Sequence, residues 1–158
     1  MNWEAISAIG QLVGAVAVVI SLIYLARQVR SSARETRRAA MRSTVESLSR
    51  LTQQITEHAD LADVWSRGID DFESLHGTDR ARFNSYMHAS FRTVEDAYYQ
   101  HLEGHLDPRV WRGLEVVLRE LNAAPGVQAW WHSHSHWFGE EFAKYINQLQ
   151  QTATRHDD

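Results

Sequence analysis

The chain contains no cysteine. That excludes disulfide staples, thiolate nucleophiles and Cys-type zinc sites, and because zero cysteine suits any redox compartment it leaves location open. Also missing are a phosphate-binding glycine loop, a G-x-S-x-G elbow, an H-E-x-x-H pair and a dinucleotide fingerprint. No stretch alternates with period 2, and no hairpin-turn dipeptide separates apolar runs, which argues against β structure. Internal repeats and low-complexity linkers are absent too. The longest gap in charge is residues 5–26; over its apolar run, residues 6–26, the most polar side chain is Gln11.

What is present begins with that gap. About 21 residues at a rise of ~1.5 Å span roughly 31 Å, which matches a bilayer core of ~30 Å. Trp3 and Tyr24 stand near its two ends, where amphipathic rings favour the interface. A buried core helix is the competing explanation, but apolar runs of this length usually span. A cleaved signal peptide fits poorly: the start, Met1-Asn2-Trp3-Glu4, carries no positive charge, and Ser31-Ser32-Ala33 follows two arginines.

Net charge is −4 overall, and its distribution is uneven. Residues 27–42 hold six arginines (Arg27, Arg30, Arg34, Arg37, Arg38 and Arg42) against Glu35, whereas residues 43–158 hold eighteen acids and ten bases. A basic strip beside an apolar run is a membrane-surface feature. The positive-inside rule then puts the N-terminus outside and the C-terminal part in the cytoplasm. Headgroup contact by Arg27, Arg30, Arg34, Arg37 and Arg38 follows from that position, at about 1 kcal/mol per basic side chain near an anionic surface. The acidic remainder argues against nucleic acid as a partner.

Within the apolar run, Ser7, Gly10, Gly14, Ala17 and Ser21 recur at spacings of 3 and 4 and form one small-residue stripe. Ile9, Leu12, Val16, Val19 and Ile23 lie opposite, facing lipid. Gly10 and Gly14 make a G-x-x-x-G pair, which allows two helices to approach closely, so self-association through the stripe is expected.

The rest reads as all-α. Residues 31–57 lack Pro and Gly, and Met41, Val45, Leu48, Leu51, Thr52 and Ile55 share a face. The expected organisation is an anchor over 1–30 (span 6–26), a basic connecting helix over 31–57 with at most a kink at Ser31-Ser32, a helical bundle over 58–151 and a polar tail over 152–158. Within the bundle, Asp60 is expected to cap a short helix over 61–69, and Thr78 to cap a long one over 79–103 that Gly104 ends. Its core face is Phe83, Met87, Val94, Tyr98 and His101. Asp107-Pro108 opens a helix whose apolar stripe is Val110, Leu114, Val117, Leu118 and Leu121. Pro125 opens another, with Val127, Trp130, Trp131, His134 and Phe138 at helical spacing, and Phe142, Tyr145, Ile146 and Leu149 mark a last helix over 140–151. Neighbours on a helix diverge by about 100°, so one of Trp130 and Trp131 is expected at the centre of the core and the other at its flank.

Two groups invite chemistry. His132, His134 and His136 are two apart and diverge on a helix, and His101 and His105 flank Gly104, so no metal site is expected from either set. Arg92, Glu95, Asp96 and Tyr99 share a face; they could serve as an acid/base pair with a basic clamp, but an ion-pair network is the expectation. Neither catalytic residues nor a cofactor are expected.

The segments MNWEAISAIGQLVGAVAVVISLIYLARQVR, LADVWSRGIDD, FRTVEDAYYQHLEGHLD and PGVQAWWHSHSHWFGEEFAKYI resemble a family of bacterial membrane-anchored proteins with no assigned activity. The resemblance implies an inner-membrane location and a helical domain, and it transfers no catalytic or metal-binding residue. The reading that needs nothing the sequence lacks is a single-pass, self-associating scaffold whose domain receives a cytoplasmic protein partner. An oligomeric pore and a membrane-tethered enzyme or small-ligand binder are the alternatives.

Overall fold

The computed structural model describes residues 3–154; the side chains of residues 3–10, 12, 13, 15, 33, 34, 37, 38, 40, 153 and 154 lie outside the description. Six α-helices follow in chain order: α1 (Trp3–Glu57), α2 (Ala59–Asp70), α3 (Gly77–Leu102), α4 (Pro108–Ala123), α5 (Pro125–His134) and α6 (Glu140–Thr154). Short 3₁₀ turns occupy Phe72–Ser74 and Ser135–Trp137, and no strand occurs among the described residues. The chain divides into two compact units, residues 1–39 and 40–158. Helix α1 is continuous through Ser31-Ser32.

In the second unit, α5 sits at the centre. It packs against α2, the 3₁₀ turn Phe72–Ser74 and α4, while α4 also packs on α6 and α2 on α3. Both of its tryptophans are sealed, Trp130 at 0% and Trp131 at 1% exposure, which corrects the expectation that one would only flank the core. The two rings leave the helix on different sides and each meets a covered surface. Trp130 donates its indole N–H to Asn84 Oδ1 of α3 at 3.0 Å, and Trp131 to Asn147 Oδ1 of α6 at 2.8 Å. Phe91 of α3 stacks on both, at ring separations of 5.4 and 4.9 Å. Burying an indole is favourable only when its N–H keeps a partner, and the two asparagines supply it.

Close approach of α5 depends on glycine. A Cβ on Gly126 would run into the backbone carbonyl oxygens of Gly68 and Ile69, and one on Gly68 would run into the Phe83 ring and Leu75. The first turn of α5 therefore crosses the last turn of α2 backbone on backbone, which no larger residue permits.

Helix ends follow capping chemistry at some sites and not at others. Asp107 accepts from the Arg109 N–H at 2.8 Å, with Pro108 in the first turn as expected. Gly104, at φ +72°, ends α3; the His105 N–H donates to the Gln100 carbonyl at 2.8 Å and the Gly104 N–H to that of His101 at 3.0 Å, a complete Schellman closure. Asp60 and Thr78 are corrected: α2 and α3 start at Ala59 and Gly77, one residue before each, following His58 and His76, with no side-chain cap. Asp60 is instead engaged by Arg82 at 2.7 Å.

The stripes shift slightly. On α4 the buried positions are Trp111, Leu118 and Asn122, with Val110, Leu114 and Leu121 half-buried, whereas Val117 is 59% exposed. On α1 the side turned inward is Thr44, Leu48, Leu51 and Ile55; Met41, Val45 and Thr52, expected on the same face, are exposed. Asn122 is fully buried and fully used: its amide donates to the Leu118 carbonyl, its Oδ1 accepts from Gln150 and its carbonyl from Gln128, which ties α4, α5 and α6 together. Helix α6 buries Phe142, Ile146 and Leu149 as the spacing predicts. It continues past Gln151, where Thr152 Oγ1 donates to the Gln148 carbonyl at 2.9 Å, so the tail does not begin at 152; residues 155–158 lie outside the described ones.

Candidate functional site

The first unit carries the feature that most needs explanation. Every side chain over residues 16–32 is exposed, and up to Ala26 none is charged. Val19, Ile20 and Leu22 are 54%, 61% and 60% exposed. Consecutive helical residues turn through 100°, so these side chains point in every direction and the helix is apolar all round. A helix of this kind is stable only when something apolar surrounds it. Its hydroxyl is already provided for, since Ser21 Oγ donates to the Ala17 carbonyl at 2.9 Å within the same helix.

Gly14, Ala17 and Ser21 of the small-residue stripe lie at exposed positions, and a Cβ on Gly14 would meet nothing within 4 Å. The side chains of Ser7 and Gly10 fall outside the described residues. Arg27 and Arg30 are exposed just beyond the apolar segment, while those of Arg34, Arg37 and Arg38 are also outside the description. Among the described residues no helix is long and apolar enough to cross a membrane. The uninterrupted described part, residues 16–26, is about 16 Å long at ~1.5 Å per residue, roughly half a bilayer core. The remainder of the expected span lies outside the described side chains.

In the second unit the expected polar group separates. Glu95, 7% exposed, takes the Arg92 guanidinium at 2.6 Å and the Gly139 N–H at 2.7 Å on its two oxygens. Arg92 also donates to the Trp137 carbonyl at 2.5 Å and lies over the Phe138 ring at 5.0 Å. A Cβ on Gly139 would come within 2.5 Å of the Tyr99 hydroxyl. Asp96 is not part of this arrangement; it accepts from Gln100 at 2.6 Å on the exposed side. The group is thus a clasp that holds residues 137–139 on α3, with the carboxylate occupied by the donors it fastens. Its backbone partners lie more than 40 residues away, so helical spacing alone could not reveal them.

The histidines disperse. His134 stacks on Trp130 at 4.7 Å, with Nδ1 2.7 Å from the Trp130 carbonyl; His101 stacks on Trp111 at 5.1 Å; His105 lies 3.1 Å from Glu103. Among the described residues no three His, Asp or Glu side chains are placed to hold one metal ion.

Two of the grooves on this unit lie along α1. One, of about 480 Å³, lies where Gln54 and His58 face Asp60, Arg82 and Tyr86. The Arg82 guanidinium holds the Asp60 carboxyl below its ordinary range, so its principal charges are already paired. The other, about 290 Å³, runs between α1 and α4, with Leu48, Thr52 and Ile55 on one wall and Leu114, Val117 and Leu121 on the other. Among the described residues, none that lines it is charged. No signal in the sequence marked this groove, because its walls come from helices nearly 60 residues apart. No protein-family model matches the chain, and neither a curated protein nor a solved structure matches it.

Proposed function

We propose that the chain is a membrane-anchored helical interaction protein. Residues 6–26 cross the inner membrane of a bacterium once, with the N-terminus outside. Arg27, Arg30, Arg34, Arg37 and Arg38 meet lipid headgroups on the cytoplasmic side, and the helical domain serves there as a docking module. Copies associate through Ser7, Gly10, Gly14, Ala17 and Ser21.

The observation that carries this reading is the exposure of an uncharged apolar helix on all its faces over residues 16–26. Lipid satisfies such a surface, and the neighbouring arginines favour the cytoplasmic leaflet. The small-residue stripe supports association because membrane helices pack where their backbones can come close. Fractionation of cells that express the full chain tests the anchor: it is expected in membranes and to resist carbonate extraction, and a reporter fused after residue 158 is expected to be active in the cytoplasm. Release by carbonate would remove the anchor, and activity of a periplasmic reporter at that position would reverse the topology.

A further inference from the structure

We propose that a second copy of this chain covers the uncharged strip of α1 formed by Met41, Val45, Leu48 and Thr52, its own α1 lying parallel and filling the groove towards α4. The inference rests on the membrane reading above and goes beyond it by placing a second interface in the helical domain.

The strip is incompletely covered by its own bundle. Thr44, Leu48, Leu51 and Ile55 turn inward, and the Tyr86 hydroxyl donates to the Leu51 carbonyl at 3.2 Å. About 50° and 90° round the helix at ~100° per residue, Met41 and Val45 remain 39% and 48% exposed. A shallow hollow continues there along Val45, Leu48, Ser49, Thr52, Gln53 and Thr56, again without a charged residue. The charges of this part of α1, Arg42, Glu46, Arg50 and Glu57, occupy its remaining face. Depletion of charge around an apolar centre is the compositional mark of an interface.

The spacing identifies the occupant as a helix of the same kind. Positions 41, 45, 48, 52 and 55 alternate steps of 4 and 3, which is the a/d repeat of a coiled coil. Val45 and Thr52, both β-branched, take the a positions; Met41, Leu48 and Ile55 take d. β-branched residues at a with Leu at d favour two parallel strands. Two heptads are too few to nucleate a free coiled coil, but α1 is already folded here, so that cost does not arise. Copies held in one membrane meet at high effective concentration. A parallel pair also satisfies two-fold symmetry, with each strip meeting itself. Val117, 59% exposed on the far wall of the groove, then gains apolar cover from the incoming helix.

The absence of cysteine makes the test direct. Single substitutions Val45→Cys, Thr52→Cys, Arg50→Cys and Ser21→Cys are placed in the full chain, and membranes are treated with the lipid-soluble oxidant copper phenanthroline, which forms disulfides inside the bilayer as well as outside it. Linked dimer is expected at 45 and 52, severalfold above that at 50 on the charged face, and at 21 in the span. Linking at 21 with 45 and 52 no better than 50 would overturn the strip and leave association through the span intact. Linking at 45 and 52 but not at 21 would keep the strip and remove the span stripe. No linking at any position would remove both, and a product at 45 or 52 of a mass other than the dimer would assign the strip to a different protein.

Discussion

Residues 16–26 of α1 and the ten residues of α5 are both rich in apolar side chains, yet they meet opposite fates. In α5 both tryptophans are sealed, because α2, α3, α4 and α6 surround it. In α1 every side chain over residues 16–26 is exposed. Glycine shows the same contrast at the level of single atoms: Gly126 has backbone where its Cβ would go, and Gly14 has open space. An apolar helix must be covered by something. Helix α5 is covered by its own chain, and residues 16–26 must find their cover elsewhere.

The largest effect that would break this comparison is truncation of a tryptophan. Trp130→Ala and Trp131→Ala should each cost about 3–5 kcal/mol, as large aromatic deletions in cores do. Ile20→Ala should stay within about 0.5 kcal/mol, as uncovered positions do. Thermal melts of the full chain in detergent decide it. A large loss at Ile20 would mean that the chain itself covers the first segment, and a small loss at either tryptophan would mean that α5 is buried on one side only.

Glycine substitutions sharpen the contrast at smaller scale. Gly126→Ala should lose about 1–3 kcal/mol, since its Cβ meets backbone that cannot rotate away. Gly14→Ala meets nothing within its own chain and should cost the fold no stability, because alanine is the better helix former by roughly 0.5–1 kcal/mol. Equal losses at both sites would erase the distinction.

The smallest effect is alkaline. Burial pushes the hydroxyls of Tyr86 and Tyr98 above the usual tyrosine value. Tyr145 is raised further, first by burial and then by the Glu115 carboxylate, which its hydroxyl meets at 3.1 Å. Below about pH 10 folded and unfolded chains both keep these protons; above it the unfolded chain releases them first, so stability falls as pH rises. The melting temperature should decline beyond that point, and less steeply in Tyr145→Phe. An unchanged alkaline limb in that variant would mean that Tyr145 is not screened from water when folded.

The turn Asp107-Pro108, the stop at Gly104 and the inward set Phe142, Ile146 and Leu149 were readable because capping and periodicity act within a few residues of chain. Asp60 and Thr78 misled because a good cap residue does not initiate a helix when a distant partner claims it or the preceding turn can already close; at Asp60 that partner is Arg82. The Arg92–Glu95 pair was visible as an i, i+3 spacing. Its attachment to Trp137 and Gly139 was not, since those donors and acceptors belong to the backbone of another segment.

The sequence by itself determined an all-helical chain, an uncharged apolar run followed by arginines, and a repeat of apolar positions along α1. These properties depend on hydrogen bonds and side-chain spacing within one helix, so neighbouring residues suffice to specify them. Only the tertiary structure decided that both Trp130 and Trp131 are buried, that Gly68 and Gly126 let two backbones touch, and that Met41 and Val45 turn away from the bundle that Thr44 enters. Those outcomes depend on which surfaces meet across long stretches of chain, and periodicity gives the angle of a side chain without saying what stands opposite it.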